Sequence, residues 1–286
     1  MAARVVVDSN RLRSGELASF LERSPKHFAV ITDYAWMEAY KDNPLVTLPK
    51  SMAILKYHPK QVILLKGTKD ICALDPSAAG IALAMQYKNS ASEFGKMLIG
   101  LEAAEAGNKN VILQIRAHSV AAGRHMANLL SDMNGMTSAL AAVASTIYAD
   151  AEIDIIRSGA KYPFELLEKF VTTSDYIAER FYLAHPLKPR RLRPSARINA
   201  FTYRYALATQ LFLFSWIRGG NQMNKAHAKL RNDLVDMNFA TYATYFNGLM
   251  SADKRVVELH AELRAVVKLL GGRVPDEQIN DQSLVS

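Results

Sequence analysis

Five acidic residues stand at places in this chain where carboxylates can do chemistry. Asp8 closes the β-branched run RVVVD at residues 4–8. Glu38 lies on a short helical stretch that follows a second apolar run, HFAVI, at 27–31. Asp233 and Asp236 are three residues apart, which puts them on one face of a helix. Asp253 comes shortly after the apolar pair Leu249 and Met250. Gathered in one place, such carboxylates repel one another and their pKa values rise. A hard divalent cation relieves that repulsion, because Mg²⁺ and Mn²⁺ take oxygen ligands. One or two such ions can activate a water, orient a phosphodiester and stabilise the leaving oxygen.

The elements that must position these acids are legible as strands and helices. Residues 4–8, 27–31 and 61–65 (QVILL) read as buried strands. Helical spacing over 12–21 and 33–41 lies between them, with Thr32 or Asp33 as N-cap. Strands alternating with helices predict a parallel α/β sheet. Ligand sites in such sheets lie outside the carboxyl ends of the strands, which is where Asp8 falls. From about residue 76 the chain turns helical in character, over 78–105, 111–130, 136–156, 164–183 and 198–217. A helix over 223–247 follows, then a short strand and a last helix to about 270. Gly219 and Gly220 suit a helix end and hinge. The expected organisation is a discontinuous α/β domain (1–75 and 223–272), an all-α insertion (76–222) and a tail (273–286), frayed or docked on a partner.

Three stretches together resemble the PIN-domain family of metal-dependent nucleases: VVVDSN, TDYAWMEAY and NDLVDMNFATYATYFNGLMSADKRV. The first looks like the family's opening strand and the second like its helix carrying a glutamate. In the third, Asp236 precedes Ala240 and Ala243 as the family's closing helix does. Asp253 sits in SADKRV, where Ser251 replaces the usual threonine. The resemblance covers about 4–75 and 223–270. The long middle segment departs from it, since a compact PIN domain is about half this length. What it implies is a three-layer α/β fold with a mostly parallel central sheet, and an Mg²⁺- or Mn²⁺-dependent endonuclease, with RNA favoured over DNA as substrate. Asp8 and Asp236 are then expected as direct ligands, with Glu38 binding directly or through water. Asp253 would hold a second metal or its water, and Asp233 is a ligand or an outer residue beside Asn232. Ser9, Asn10 and Ser251 would steady carboxylates or phosphate. A toxin or antiviral-defence role is an analogy for such a nuclease with a large accessory region.

Ordinary readings stand beside each of these. An aspartate after a strand usually caps a helix, and Asp253 is a candidate N-cap of the last helix. Glu38 and Asp233 suit a solvated helix face. The loop HPLKPRRLRPSAR at 185–197, including Lys188, Arg190, Arg191 and Arg193, suits either a nucleic-acid backbone or a solvated connector. Lys254 and Arg255 are phosphate contacts or surface residues. His118 and His125 read as part of a basic face with Arg116 and Arg124. Phe201, Tyr203, Tyr205, Phe212, Phe214 and Trp216 read as core. A net charge of +8 favours polyanionic partners without specifying one. The lone Cys72 builds no disulfide framework. No segment approaches the roughly 20 apolar residues of a membrane span, so a cytoplasmic protein is expected, with an antitoxin-like regulator or self-association through the insertion as partners. Two rivals remain: a catalytically silent nucleic-acid or protein interaction module, and another metal-dependent phosphohydrolase. The haloacid-dehalogenase phosphatase pattern lacks its second aspartate, since position 10 is Asn10.

Overall fold

In this computed structural model the described residues are 2–75, 80–131, 144–185, 192–219 and 227–278. A four-stranded, all-parallel sheet lies at the centre, in the order β3-β2-β1-β4. Its strands are β1 (Ala3–Val7), β2 (His27–Ile31), β3 (Val62–Leu64) and β4 (Leu249–Met250). Val5, Val6, Val7, Ala29, Val30 and Ile31 are fully buried, as a parallel sheet covered on both faces requires. Register follows from that burial: Val6 pairs with Val30 on one side and Leu249 on the other. Ile31 pairs with Leu64.

The helices between the strands start where their caps dictate. Ser14 accepts the Leu17 N–H at the start of α1 (Gly15–Glu22). Thr32, not Asp33, caps α2 (Asp33–Ala39), its Oγ1 accepting from Ala35 N at 3.1 Å. Then come α3 (Pro44–Met52), α4 (Thr68–Cys72) and α5 (Ile81–Ala84). The stretch 78–105, expected to be helical in character, is therefore not helical throughout. Gln86 forms an antiparallel bridge with Leu65, and Tyr87 N donates to Leu64 O at 2.9 Å. The backbone there covers the free edge of β3, and an uncovered edge would leave polar groups unpaired. Helix α6 (Ser90–Glu105) begins only after this crossing.

The region expected as one helical insertion contributes to two cores. Phe94, Leu101, Ile115 and Met126, from α6 and α7 (Lys109–Ser131), join the sheet's own core. A second core gathers Ile153 and Ile156 of α8 (Asp150–Ser158) with Leu166 and Phe170 of α9 (Phe164–Ala184). After the short turn α10 (Pro194–Arg197), α11 (Phe201–Arg218) runs through that core with Tyr203, Phe214 and Trp216 buried. The expected helix over 136–156 ends before Ala149, the N-cap of α8, and its residues 136–143 lie outside the described residues.

Helix α12 (His227–Ala243) joins the two cores: Val235, Phe239 and Tyr242 face the sheet's core, Met237 the other. Ala240, Ala243 and Thr244 are fully buried along it, and these small side chains let it lie close to β1. Helix α13 (Lys254–Leu269) closes the fold and ends at Gly271, whose φ of 79° only glycine adopts without cost. Gly219, also expected to end a helix, has an ordinary φ of −74°. Residues 273–278, expected to fray or to seek a partner, dock on their own chain. Arg204 donates to Arg273 O at 2.7 Å, Arg264 to Pro275 O at 2.7 Å, and Gln278 N to Asn247 O at 3.0 Å. Among the described residues, no helix is long and apolar enough to cross a membrane.

Candidate functional site

The chain leaves β1 toward β2 and β3, then returns by α12 to place β4 on β1's other side. The carboxyl ends of β1 and β4 thus flank a switch point, the crevice where open parallel sheets bind ligands. Asp8 follows β1, and Ser251, Ala252 and Asp253 follow β4. The two loops are stitched together. Ser251 Oγ donates to Asp8 Oδ2 at 2.6 Å, and Ala252 N to Asn10 Oδ1 at 3.0 Å. Asn10 Nδ2 donates to the same Asp8 oxygen at 2.6 Å, and Ser9 Oγ to Asp8 Oδ1 at 3.3 Å. The same hydroxyl lies much closer to Glu38 Oε2, so its one proton is shared between the two carboxylates, chiefly with Glu38. Ser9, Asn10 and Ser251 thus all hydrogen-bond to carboxylates.

The remaining acids arrive on helices. Glu38, half-buried on α2, is also clamped by Lys41, whose Nζ lies 2.9 Å from Oε1. Asp233 and Asp236 share one face in the middle of α12; Asp233 is 6% exposed, and Asn232 beside it is exposed. Asp253 is the N-cap of α13. Its Oδ1 accepts Arg255 N at 2.9 Å, while its Oδ2 accepts Arg255 Nη2 at 3.1 Å. The same guanidinium reaches Asp233 Oδ1 at 3.6 Å. Arg255 therefore bridges two carboxylates.

Crowding is visible in the proton affinities. Burial, then the negative charges of Asp8, Asp253 and Asp233, push the Asp236 carboxyl up to about 7, against the pull of Arg255. Burial also raises Asp8; Ser251 opposes this, and the charge of Glu38 adds to it. At Asp253 burial works upward, but the hydrogen bonds and charge of Arg255 prevail and hold its carboxyl below the usual range. Asp236 thus feels Asp8, Asp253 and Asp233, and Asp8 feels Glu38. Yet among the described residues no group of three or more His, Cys, Asp or Glu side chains is drawn tightly enough to hold a metal ion. The donor set has the chemistry of a hard cation's shell, and internal N–H and O–H groups occupy the oxygens of Asp8, Glu38 and Asp253.

An open crevice beside the acids has Asp233, Asp236 and Arg255 on one side. Phe212, Trp216, Val256 and Leu259 form its apolar walls. Phe212 and Trp216 were expected as core in preference to a base-stacking platform; Trp216 is buried and also lines this crevice. Lys41 was missed as a partner of Glu38, although its i,i+3 spacing signals the pair. A further buried polar group was also missed. Asp33 Oδ2 accepts Thr68 N at 2.7 Å and Thr68 Oγ1 at 2.8 Å, and that hydroxyl pairs with Tyr242 OH at 2.7 Å. It ties the carboxyl ends of β2 and β3 to α12. Cys72, near this group, has its thiol pushed up to about 12 by burial and then by Asp33.

The basic candidates divide. Lys254 is exposed beside the acids. Arg255 is engaged by them and not held out toward solvent alone. Arg193, the exposed N-cap of α10, leads into Ile198 and Asn199, which belong to a network at the sheet's opposite, amino end. The structure does not bring it to the acids. Lys188, Arg190 and Arg191 lie outside the described residues. His118 and His125 pack near Tyr40 and Tyr34 of the α2 region, with Arg116 and Arg124 exposed on the same helix. No family model, no curated protein and no solved structure matches this chain.

Proposed function

We propose that this protein is a metal-dependent endonuclease of PIN-like type, acting on RNA in preference to DNA. What supports the reading is that acids from four separate segments lie near the switch point of a parallel sheet, close enough for Asp236 to feel Asp8 and Asp253 and for Asp8 to feel Glu38. Asp8, Glu38, Asp236 and Asp253 would hold one or two Mg²⁺ or Mn²⁺ ions, with Asp233 at the margin. The ion would supply Lewis-acid stabilisation of a phosphodiester and an activated water. The chain's own part is to keep the acids aligned. Ser251 and Asn10 fix Asp8, and Ser9 spans Asp8 and Glu38. An Asp236 carboxyl near pH 7 can hold or release a proton as a cation leaves or arrives. A toxin or defence effector restrained by a regulatory protein is the setting this activity suggests.

Incubating the full chain with structured RNA, single-stranded RNA and DNA, under Mg²⁺, Mn²⁺ or chelator, tests this. Cleavage of RNA is expected with either metal and none with chelator. Asp8→Asn and Asp236→Asn should each lower the rate by about a thousandfold or more with the fold intact. Undiminished cleavage by the double variant would sink the assignment.

One observation favours a second reading, a silent interaction module: every carboxylate oxygen of Glu38 and Asp253 already has an internal donor. RNA binding without cleavage, and without calorimetric uptake of Mn²⁺, selects that reading. Hydrolysis of a simple phosphate ester in place of RNA selects a phosphohydrolase.

A further inference from the structure

Arg255 starts a helix at the surface, where an arginine would ordinarily point into water. Its side chain is 56% exposed, yet it turns back onto Asp253 at 3.1 Å and the buried Asp233 at 3.6 Å. It also lines the crevice that opens beside Asp236. Its guanidinium places a positive charge among carboxylates that would otherwise carry like charge with no adequate solvent access. Asp253 is committed to it through both oxygens, one to the side chain and one to the backbone N–H that it caps.

We propose that Arg255 is a built-in counter-ion that competes with a divalent cation for Asp253 and Asp233. This inference rests on the metal-site reading above. In the metal-free chain Arg255 neutralises the two aspartates and keeps them from closing on Asp8 and Asp236. A divalent cation, with twice the charge, takes over the carboxylates and releases the guanidinium. Half-exposed and on a long stem, it can then turn across the crevice, where its planar fork suits a phosphate. The same residue thus holds the empty site together and becomes a substrate contact in the loaded one. Lys41 on Glu38 repeats the arrangement with a less exposed, single-point charge that touches one carboxylate only.

The test uses the full chain as wild type, Arg255→Gln and Arg255→Lys. Thermal melts are run in EDTA, and Mn²⁺ binding is measured by calorimetry without nucleic acid. With the competitor gone, R255Q is expected to melt about 2–4 °C lower in EDTA. It should bind Mn²⁺ roughly fivefold more tightly, an effect the size of a partly exposed ion pair. Saturating Mn²⁺ should close most of the gap in melting temperature. R255K, able to reach one carboxylate but not to bridge two, should lie between. Equal Mn²⁺ affinity in all three proteins overturns the inference and leaves the metal-site reading standing. No Mn²⁺ uptake by any of them overturns both.

Discussion

Helix α12 carries carboxylates at its middle and ends against a buried arginine, and the two regions it joins treat buried charge differently. At the amino end of the sheet, Arg204 is fully buried, yet every N–H it carries has an acceptor. Nε donates to Ile198 O at 3.1 Å, Nη1 to Thr244 O and Oγ1 at 2.9 Å each, and Nη2 to Asn199 Oδ1 at 3.1 Å and Arg273 O at 2.7 Å. Its guanidinium lies over the Tyr245 ring, 3.9 Å from the centroid. At the carboxyl end, five acids share two neutralising cations, Arg255 and Lys41, both exposed at the surface. The first end spends its polar groups on fixing structure. The second leaves like charges pressed together, an arrangement that costs stability and gains from an added cation.

The largest expected effect follows from the satisfied end. Arg204→Met should lower unfolding free energy by about 3–5 kcal/mol in denaturant titration, because it orphans buried acceptors from three segments. A loss under 1 kcal/mol would mean that the network is ornamental and that the contrast between the two ends is empty.

The next effect comes from the crowded end and is read in pH. A carboxyl whose folded pKa is raised stabilises the fold fully below its unfolded value, near 4, and that contribution is lost as pH rises through the folded value, about 7 for Asp236. The whole-chain profile also contains His260, which burial and then Arg264 bring down to about 4. Its contribution runs the other way, present above about pH 6.5 and lost as pH falls through 4. The difference between wild type and Asp236→Asn in EDTA isolates the first. The Asp236→Asn change removes the repulsion, so the variant should gain on wild type between pH 4 and 8, by on the order of 2–4 kcal/mol. A gap that does not change with pH would contradict the crowding.

The smallest effect concerns the strap at the amino end. Asn247 accepts from Arg4 N at 3.0 Å and donates to Asp276 O at 2.9 Å, so it joins β1 to the docked segment. Asn247→Ala should cost about 1 kcal/mol. Hydrogen exchange should quicken at Arg4 and Gln278 while the amides of the acidic edge keep their protection. Equal quickening at both ends would show that the two regions are not separate devices.

How much of this was legible can be judged element by element. RVVVD, HFAVI and QVILL gave three strands, since a strand buried on both faces needs an unbroken apolar run. The fourth strand, Leu249–Met250, was legible mainly through what flanks it. The crossing at Gln86 was not legible, because its backbone bonds carry no side-chain signature. The same limit hid the docking of 273–278, which rests on carbonyl oxygens. The two-core layout was hidden too, since Phe94 and Phe214 are equally apolar and only packing assigns them to different cores.

At the site, the sequence by itself determined which side chains carry negative charge and which ends of which elements carry them. Strand ends and helix faces follow from local periodicity, which sets Asp8, Asp236 and Asp253 on their elements; Glu38 was singled out through the family resemblance alone. Tertiary structure alone decided their company. Ser251 reaches Asp8 across 243 positions, and Arg255 turns inward to two aspartates instead of outward to a phosphate. Such pairings depend on where two distant loops meet, and electrostatic coupling falls with distance in space, not along the chain.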